Sequence, residues 1–315
     1  MKKIFTSIML VAVGFVAYAQ QDAQFSQNFF TKLNTNPAFA GMDKAYCANL
    51  IYRDQWVNFP GNPTTFMFNG DAYLPSIGGG LGLTAWDDKL GFESTLEVKL
   101  SYSYHLILGP GVLGIGPSIG FFQKSLNGPW APPDGMGLST NDPLIPVGGN
   151  TSSTYDIGLG LYYATEQGLY IGLSTSHLPE QTITSSYKTY AYDVARHYYV
   201  EAGYTYNASA TWDIIPDLYV ESDASSTQFQ LNVRAEYNKL LWLGVGYRMN
   251  DAFVALLGVN LAMKNGSNLK IGYSYDYTTS DIHSYSSGSH EIALQYCFKP
   301  KPKSKTEYHQ NTRFL

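Results

Sequence analysis

The chain has 315 residues, of which 44% are hydrophobic and 15% aromatic but only 14% charged, against about 25% charged in an average soluble domain. With 20 Lys plus Arg and 25 Asp plus Glu the net charge is −5, which excludes a general nucleic-acid binder, because phosphate neutralisation needs a basic face. The 30 glycines and 26 tyrosines weigh against a helical protein, since Gly weakens helix interiors and Tyr suits pleated, half-buried surfaces.

The first element in the chain is an export signal over residues 1–19. Lys2 and Lys3 precede the apolar run Ile4 to Val16, and Ala17-Tyr18-Ala19 supplies a small-residue cleavage site, so the mature chain is expected to start at Gln20. The run is too short for an anchor and lacks a stop-transfer flank, and no Cys follows the cut to carry a lipid. Beyond it no stretch approaches the roughly 18 consecutive apolar residues of a spanning helix. Residues 20–43 form a separate segment. Its core, Gln21 to Gly41, is of mixed polarity and carries Phe25, Phe29, Phe30 and Phe39. That is too short for a domain and too aromatic for a free linker, which makes it a candidate plug inside a barrel.

Residues 44–298 alternate with period two. Leu96, Val98, Leu100, Tyr102, Tyr104 and Leu106 share one face, and Glu97, Lys99, Ser101, Ser103 and His105 the other. The same alternation recurs in 228–237 and 269–277. A soluble sandwich also alternates, but its strands are shorter and its polar face points outward. Runs of ten or more residues have the length of tilted bilayer-crossing strands. About fourteen such runs fit between 44 and 298. The connections at 75–76, 109–110, 166–167, 208–209, 238–239 and 264–266 follow even-numbered runs and are tight, whereas the long ones, 126–152, 178–195 and 279–287, follow odd-numbered runs. Outer-membrane barrels have short periplasmic turns, long extracellular loops and an even strand number. The expected fold is therefore an all-β transmembrane outer-membrane barrel of about fourteen antiparallel strands with an N-terminal plug-like segment and both termini in the periplasm. The remainder, 299–315, is a basic tail with Lys299, Lys301, Lys303, Lys305 and Arg313, read as solvated chain or as a docking strip for a periplasmic partner.

Motifs for chemistry are absent from the sequence: it has no Walker loop, no Gly-x-Ser-x-Gly elbow and no Cys-x-x-Cys pair. His290-Glu291 opens like a zinc-protease helix, but Leu294 stands where the second His belongs. Gly158-Leu159-Gly160 and Gly244-Val245-Gly246 read as lumen-facing room for neighbouring side chains. His177, His197 and His283 fall near the outer rim, with no spacing that joins them as a hydrolase or metal set. No catalytic, cofactor or metal site is assigned.

Lumen-facing charge is the stronger signal. By alternation Arg53, Lys99, Arg234, Arg248 and Lys270 point inward with Asp71, Glu97, Asp156, Glu201, Glu236, Asp276 and Glu291. In lipid each Lys or Arg would cost about 2–4 kcal/mol near the midplane. The interleaved signs read as wall-to-wall cross-links rather than as a selective pore. Cys47 and Cys297 also face inward, on the first and last strands, which become neighbours on closure. A seam disulfide and two small buried thiols are both open.

Several of these residues carry a family resemblance. Gln24-Phe25-Ser26-Gln27, Asn36-Pro37-Ala38-Phe39-Ala40-Gly41, Tyr52-Arg53-Asp54-Gln55-Trp56 and Pro60-Gly61-Asn62-Pro63, followed in order by Tyr102-Ser103-Tyr104, His197-Tyr198-Tyr199, Tyr247-Arg248, Gly272-Tyr273-Ser274-Tyr275-Asp276 and Gly288-Ser289-His290-Glu291-Ile292, resemble the PorP/SprF family of type IX secretion outer-membrane proteins. The likeness spans nearly the whole mature chain. It implies a non-enzymatic barrel of the type IX secretion and gliding system of Bacteroidetes, set in outer-membrane lipid and using no cofactor. Its implied partners are a secreted adhesin with a type IX sorting domain or periplasmic secretion components, with no role for nucleic acid. A transporter that admits apolar small molecules past the N-terminal segment is the alternative, and a barrel hydrolase the third reading.

Overall fold

The computed structural model describes residues 22–128, 150–184 and 191–299. The expected signal peptide, most of the 126–152 connection and the basic tail after Lys299 lie outside the described residues.

Long alternating runs become long strands: β1 Tyr46–Asp54, β2 Thr64–Leu74, β3 Gly79–Leu90, β4 Glu93–Leu108 and β5 Gly111–Leu126. β6 Asn150–Thr165, β7 Leu169–Ser176, β8 His197–Tyr204, β9 Trp212–Ser222 and β10 Thr227–Tyr237 follow. β11 Leu241–Arg248, β12 Ala252–Ala262, β13 Asn268–Thr278 and β14 Ser289–Phe298 complete the set. Every pairing is antiparallel, and β1 pairs with β14, so the fourteen strands close into a barrel with no free edge. After β8 the strand is interrupted at Thr205, and Tyr206–Asn207 pairs with β9 as a separate short piece. A hairpin of Thr182–Thr184 and Ala191–Asp193 lies in the β7–β8 connection.

Alternation sorts the side chains. In β1 Cys47, Asn49, Ile51 and Arg53 are buried while Ala48, Leu50 and Tyr52 are exposed. The outward face is aliphatic at mid-height, as at Leu100, Ile119, Leu159 and Val245, and aromatic towards both ends. Tyr52, Phe66, Tyr155, Phe253 and Tyr277 lie towards the long-loop end, and Tyr104, Tyr204, Trp212, Tyr237 and Phe298 towards the short-turn end. Two aromatic girdles around an apolar band are what a barrel needs at the two faces of a bilayer. The described residues include no helix long and apolar enough to cross a membrane; the strands cross it.

Burial is therefore inside out. Phe25, Phe30, Ile51, Met67, Trp86, Trp242 and Val254 form one apolar cluster within the barrel, each large side chain contributing about 1.5–3 kcal/mol. At the long-loop end Ile183, within the short hairpin, and Val194, just after it, join this cluster, and Phe122 stacks on Tyr192 at 6.3 Å. The N-terminal segment supplies Phe25 and Phe30. It does not stay at the end where β1 begins. Asp22 meets His177 and His197 beside the long loops, and Gly41 meets Asp71 beside the short turns. β1 begins beside the end of β14, but the chain preceding β1 leads back along the lumen to the opposite mouth; the residues before Asp22 and after Lys299, and with them both termini, lie outside the described residues.

At the β1–β14 seam Cys47 stands opposite Cys297 in register, with Cα atoms 4.1 Å apart, and the two sulfurs are bonded. Of the two readings left open by the sequence, the structure has the disulfide. Non-reducing peptide mapping of the purified barrel should recover the Cys47 and Cys297 peptides linked; two alkylatable thiols would contradict the seam pairing.

Candidate functional site

The residues with the most partners inside the barrel belong to the N-terminal segment and the charges that grip it. Ser26 and Gln27 donate consecutive backbone N–H groups to the two carboxylate oxygens of Glu291, at 2.8 and 2.9 Å. The Ser26 hydroxyl donates to Asp276 at 2.7 Å and accepts from Arg53 Nη1 and Arg248 Nη2, each at 2.8 Å. Its carbonyl accepts from Gln230 Nε2 at 2.8 Å. The cations also bind the anions directly. Arg53 lies 2.7 Å from Asp276 and 3.1 Å from Glu291, and Arg248 lies 3.1 Å from Asp276 and 2.9 Å from Asp251. Arg53 and Glu291 are 0% exposed, so these pairs operate out of water, where an unpaired charge is costly.

Further along, Arg234 stacks 3.7 Å over the Phe29 ring and reaches Asp217 at 3.8 Å. Phe29 in turn packs edge-on against Trp242 at 5.4 Å. Lys32 donates to the Tyr162 hydroxyl at 3.0 Å and sits 3.4 Å over Tyr170. Thr35 donates to Glu201. Asn36 caps the turn Pro37–Phe39 by accepting from Ala38 N, with Pro37 at the first position where its missing N–H is harmless. Its amide donates to the backbone oxygen of Leu161 at 3.0 Å. Ser103 and His105 then hold the Ala38 and Ala40 carbonyls at 2.7 and 3.0 Å, and Gly41, at φ +74°, donates to Asp71 at 2.8 Å.

Inward-facing glycines leave room for this path. A Cβ at Gly160 would stand 2.1 Å from Asn36, one at Gly114 2.4 Å from the Ala38 carbonyl, and one at Gly82 2.6 Å from Leu33. At Gly244 and Gly246 the crowding atoms belong to Arg234 and Asn232 on the neighbouring strand. Gly160 thus accommodates the segment, where the sequence pattern pointed to an adjacent side chain.

The remaining inward charges divide into those that meet and those that do not. Lys99 pairs with Glu97 at 2.9 Å, and Glu97 also accepts from Trp86 Nε1 at 2.6 Å. Asp156 accepts from His177 Nδ1 at 3.0 Å. Glu236 and Lys270 are half-buried and line a cavity of about 520 Å³ near the short-turn end, in no ion pair among the described residues. The sequence offered no signal for the grouping of His177, His197 and Asp22. The two rings lie 5.6 Å apart, and Asp22 approaches His177 Nε2 at 3.1 Å. Burial opposes charge on both partners, yet the facing histidines hold the Asp22 carboxyl well below its ordinary range, and Asp22 and Asp156 hold the His177 imidazole well above its own. His283 sits on the exposed turn Asp281–Ser284 and bonds Ser280 and Ser284 instead.

Residues 17–296 match the family described as type IX secretion system membrane protein PorP/SprF. The chain belongs to the PorP/SprF family. The stretches of this chain that carry the resemblance are among the residues just described: Gln24 to Gln27 and Asn36 to Gly41 lie within the barrel, and Arg53, Arg248, Asp276 and Glu291 surround Ser26. A PorP/SprF protein is an outer-membrane component of type IX secretion. No curated protein matches the sequence. Among solved structures, the TodX deltaS2S3 mutant monoaromatic hydrocarbon channel is similar at TM-score 0.50 and 10% identity, covering 85% of this chain and 94% of that one. The Acinetobacter baumannii outer membrane protein Omp33 aligns at TM-score 0.42 and 9% identity, covering 81% of this chain and 98% of its own. The first likeness supports the barrel fold alone.

Arg53→Met removes the cation shared by Asp276 and Glu291, and breaking such a buried pair costs about 3–5 kcal/mol. In SDS gels of samples heated through a temperature series the variant should lose its folded band at a lower temperature than the parent. Equal transition temperatures would contradict the lock.

Proposed function

We propose that this PorP/SprF protein is a closed, non-enzymatic outer-membrane platform for type IX secretion. Its N-terminal segment serves as a lumen plug. Its two exposed ends support export or surface attachment of a secreted adhesin, or anchor the translocon to periplasmic components. The observation that carries the reading is the engagement of residues 22–41 with inward groups from one mouth to the other, with Ser26 held by two arginines and two carboxylates. A barrel of about eight strands is filled by its own side chains; fourteen leave space, and here a piece of the chain fills it. Protein cargo would then pass beside this barrel, not through it.

Orientation follows from loop length. The end bearing the 127–149, 177–196 and 279–288 connections is assigned to the cell exterior and the short-turn end to the periplasm. Phe298 ends β14 at the short-turn end, so the basic residues after it are offered to the periplasmic side, where acidic secretion components are fitting partners. The hydrolase reading finds little support. The ring nitrogens of His177 and His197 are engaged by Asp22, Asp156 and the Ala195 carbonyl, and among the described residues no serine hydroxyl is bonded to either.

Deleting the gene should strip an adhesin, or type IX cargo as a whole, from the cell surface while leaving uptake of small apolar nutrients intact. Normal surface display with defective uptake would overturn the platform and favour a transporter.

A further inference from the structure

At the long-loop mouth four groups converge in a way the charge lock around Ser26 does not require. His197 Nδ1 lies 3.0 Å from the Ala195 carbonyl. A carbonyl only accepts, so the proton sits on Nδ1 and the lone pair on Nε2, where it receives Asp22 N–H at 3.3 Å. His177 presents Nε2 to the Asp22 carboxylate at 3.1 and 3.2 Å, and its Nδ1 is held at 3.0 Å by Asp156. Tyr199 donates to Asp22 Oδ2 at 2.6 Å. Glu221 accepts from the Tyr219 hydroxyl through Oε2 at 3.1 Å. Its Oε1 is buried without a hydrogen-bond partner and lies 4.0 Å from His197 Nε2. Each donor group is thus oriented from behind by another residue, the arrangement that fixes ligands in protein metal centres.

We propose that Asp22, His177 and His197, with Glu221 as the fourth group, form a binding site for a divalent transition-metal ion of the Zn2+ type. Two imidazoles and carboxylates suit Zn2+, whereas Ca2+ and Mg2+ take all-oxygen sets. Zn–N and Zn–O bonds of about 2.0–2.2 Å place tetrahedral donors roughly 3.3–3.6 Å apart. The Asp22, His177 and His197 donor atoms lie within 4.8 Å of one another, so shifts of an ångström or less close the set. The electrostatics agree. Asp22, Asp156, Glu97 and Glu221 gather here, and Glu97 is paired with Lys99. On binding, the ion takes the place of the proton on His177 Nε2, which leaves to solvent. The ion would tie the start of the N-terminal segment to the ends of β7, β8 and β9, strands other than those that hold Ser26. The inference goes beyond the platform reading and does not depend on it.

The test uses the full exported chain, without a polyhistidine tag, folded in detergent, stripped with chelator and titrated with Zn2+. One ion per chain should survive gel filtration, and Co2+ in its place should give the strong visible bands of a low-coordinate N/O site. His197→Ala should abolish both. Asp156→Asn, which reaches the ion only through His177, should weaken binding about 10–100-fold, and His283→Ala should leave it unchanged. Heat-modifiable gel migration reports folding of each protein. A folded parent that retains no Zn2+, or a folded His197→Ala variant that binds as the parent does, overturns the site and leaves a metal-free imidazolium between two carboxylates. If His197→Ala does not fold, the Co2+ bands of the unaltered chain decide by their presence or absence.

Discussion

In a strand that crosses lipid, alternate side chains must face hydrocarbon and the others must face one another, and charge has a place only on the second face. Closing fourteen such strands gathers all inward residues around a space too wide for them to fill. The interior of this protein is an answer to that constraint. Arg53, Arg248, Asp276 and Glu291 are out of water and pair with one another, and further hydrogen-bond partners for them come from Ser26 and Gln27. The segment needs the charges to hold its backbone, and the charges need the segment to satisfy their remaining donors and acceptors. Removing either leaves buried polar groups unpartnered, which is the costly state.

The barrel was largely legible in the amino-acid sequence because the period-two signal is local. Glu97 and Lys99 alternate with Leu96, Val98 and Leu100 in the sequence and divide inside from outside in the same way in β4. The grouping of loops at one end was legible for the same reason, since tight turns and long connections can be counted. What could not be read was the course of residues 22–41, which have no periodicity and take their shape from the wall. Asp22 and His177 are separated by 155 positions, and only the direction of that course brings them together. One signal was available and under-read. Paired inward glycines at 80 and 82, 114 and 116, and 158 and 160 mark where a backbone comes close, and at Gly82, Gly114 and Gly160 the neighbour is the segment.

For a PorP/SprF protein this interior has a consequence at the level of function. Cross-linking from one mouth to the other favours a rigid body, and in the reading proposed above partners are met at its two ends, where the long connections and the short turns lie. Loops on a rigid scaffold are where binding residues concentrate.

The central claim is that residues 22–41 are an integral layer of the barrel interior, and hydrogen exchange measured by mass spectrometry on the folded protein in detergent tests it most directly. Ser26 N–H and Gln27 N–H are held by Glu291 inside the barrel, so a peptide spanning this region should exchange as slowly as peptides from β1 and β14. Exchange within seconds, as for an unstructured terminus, would contradict the account.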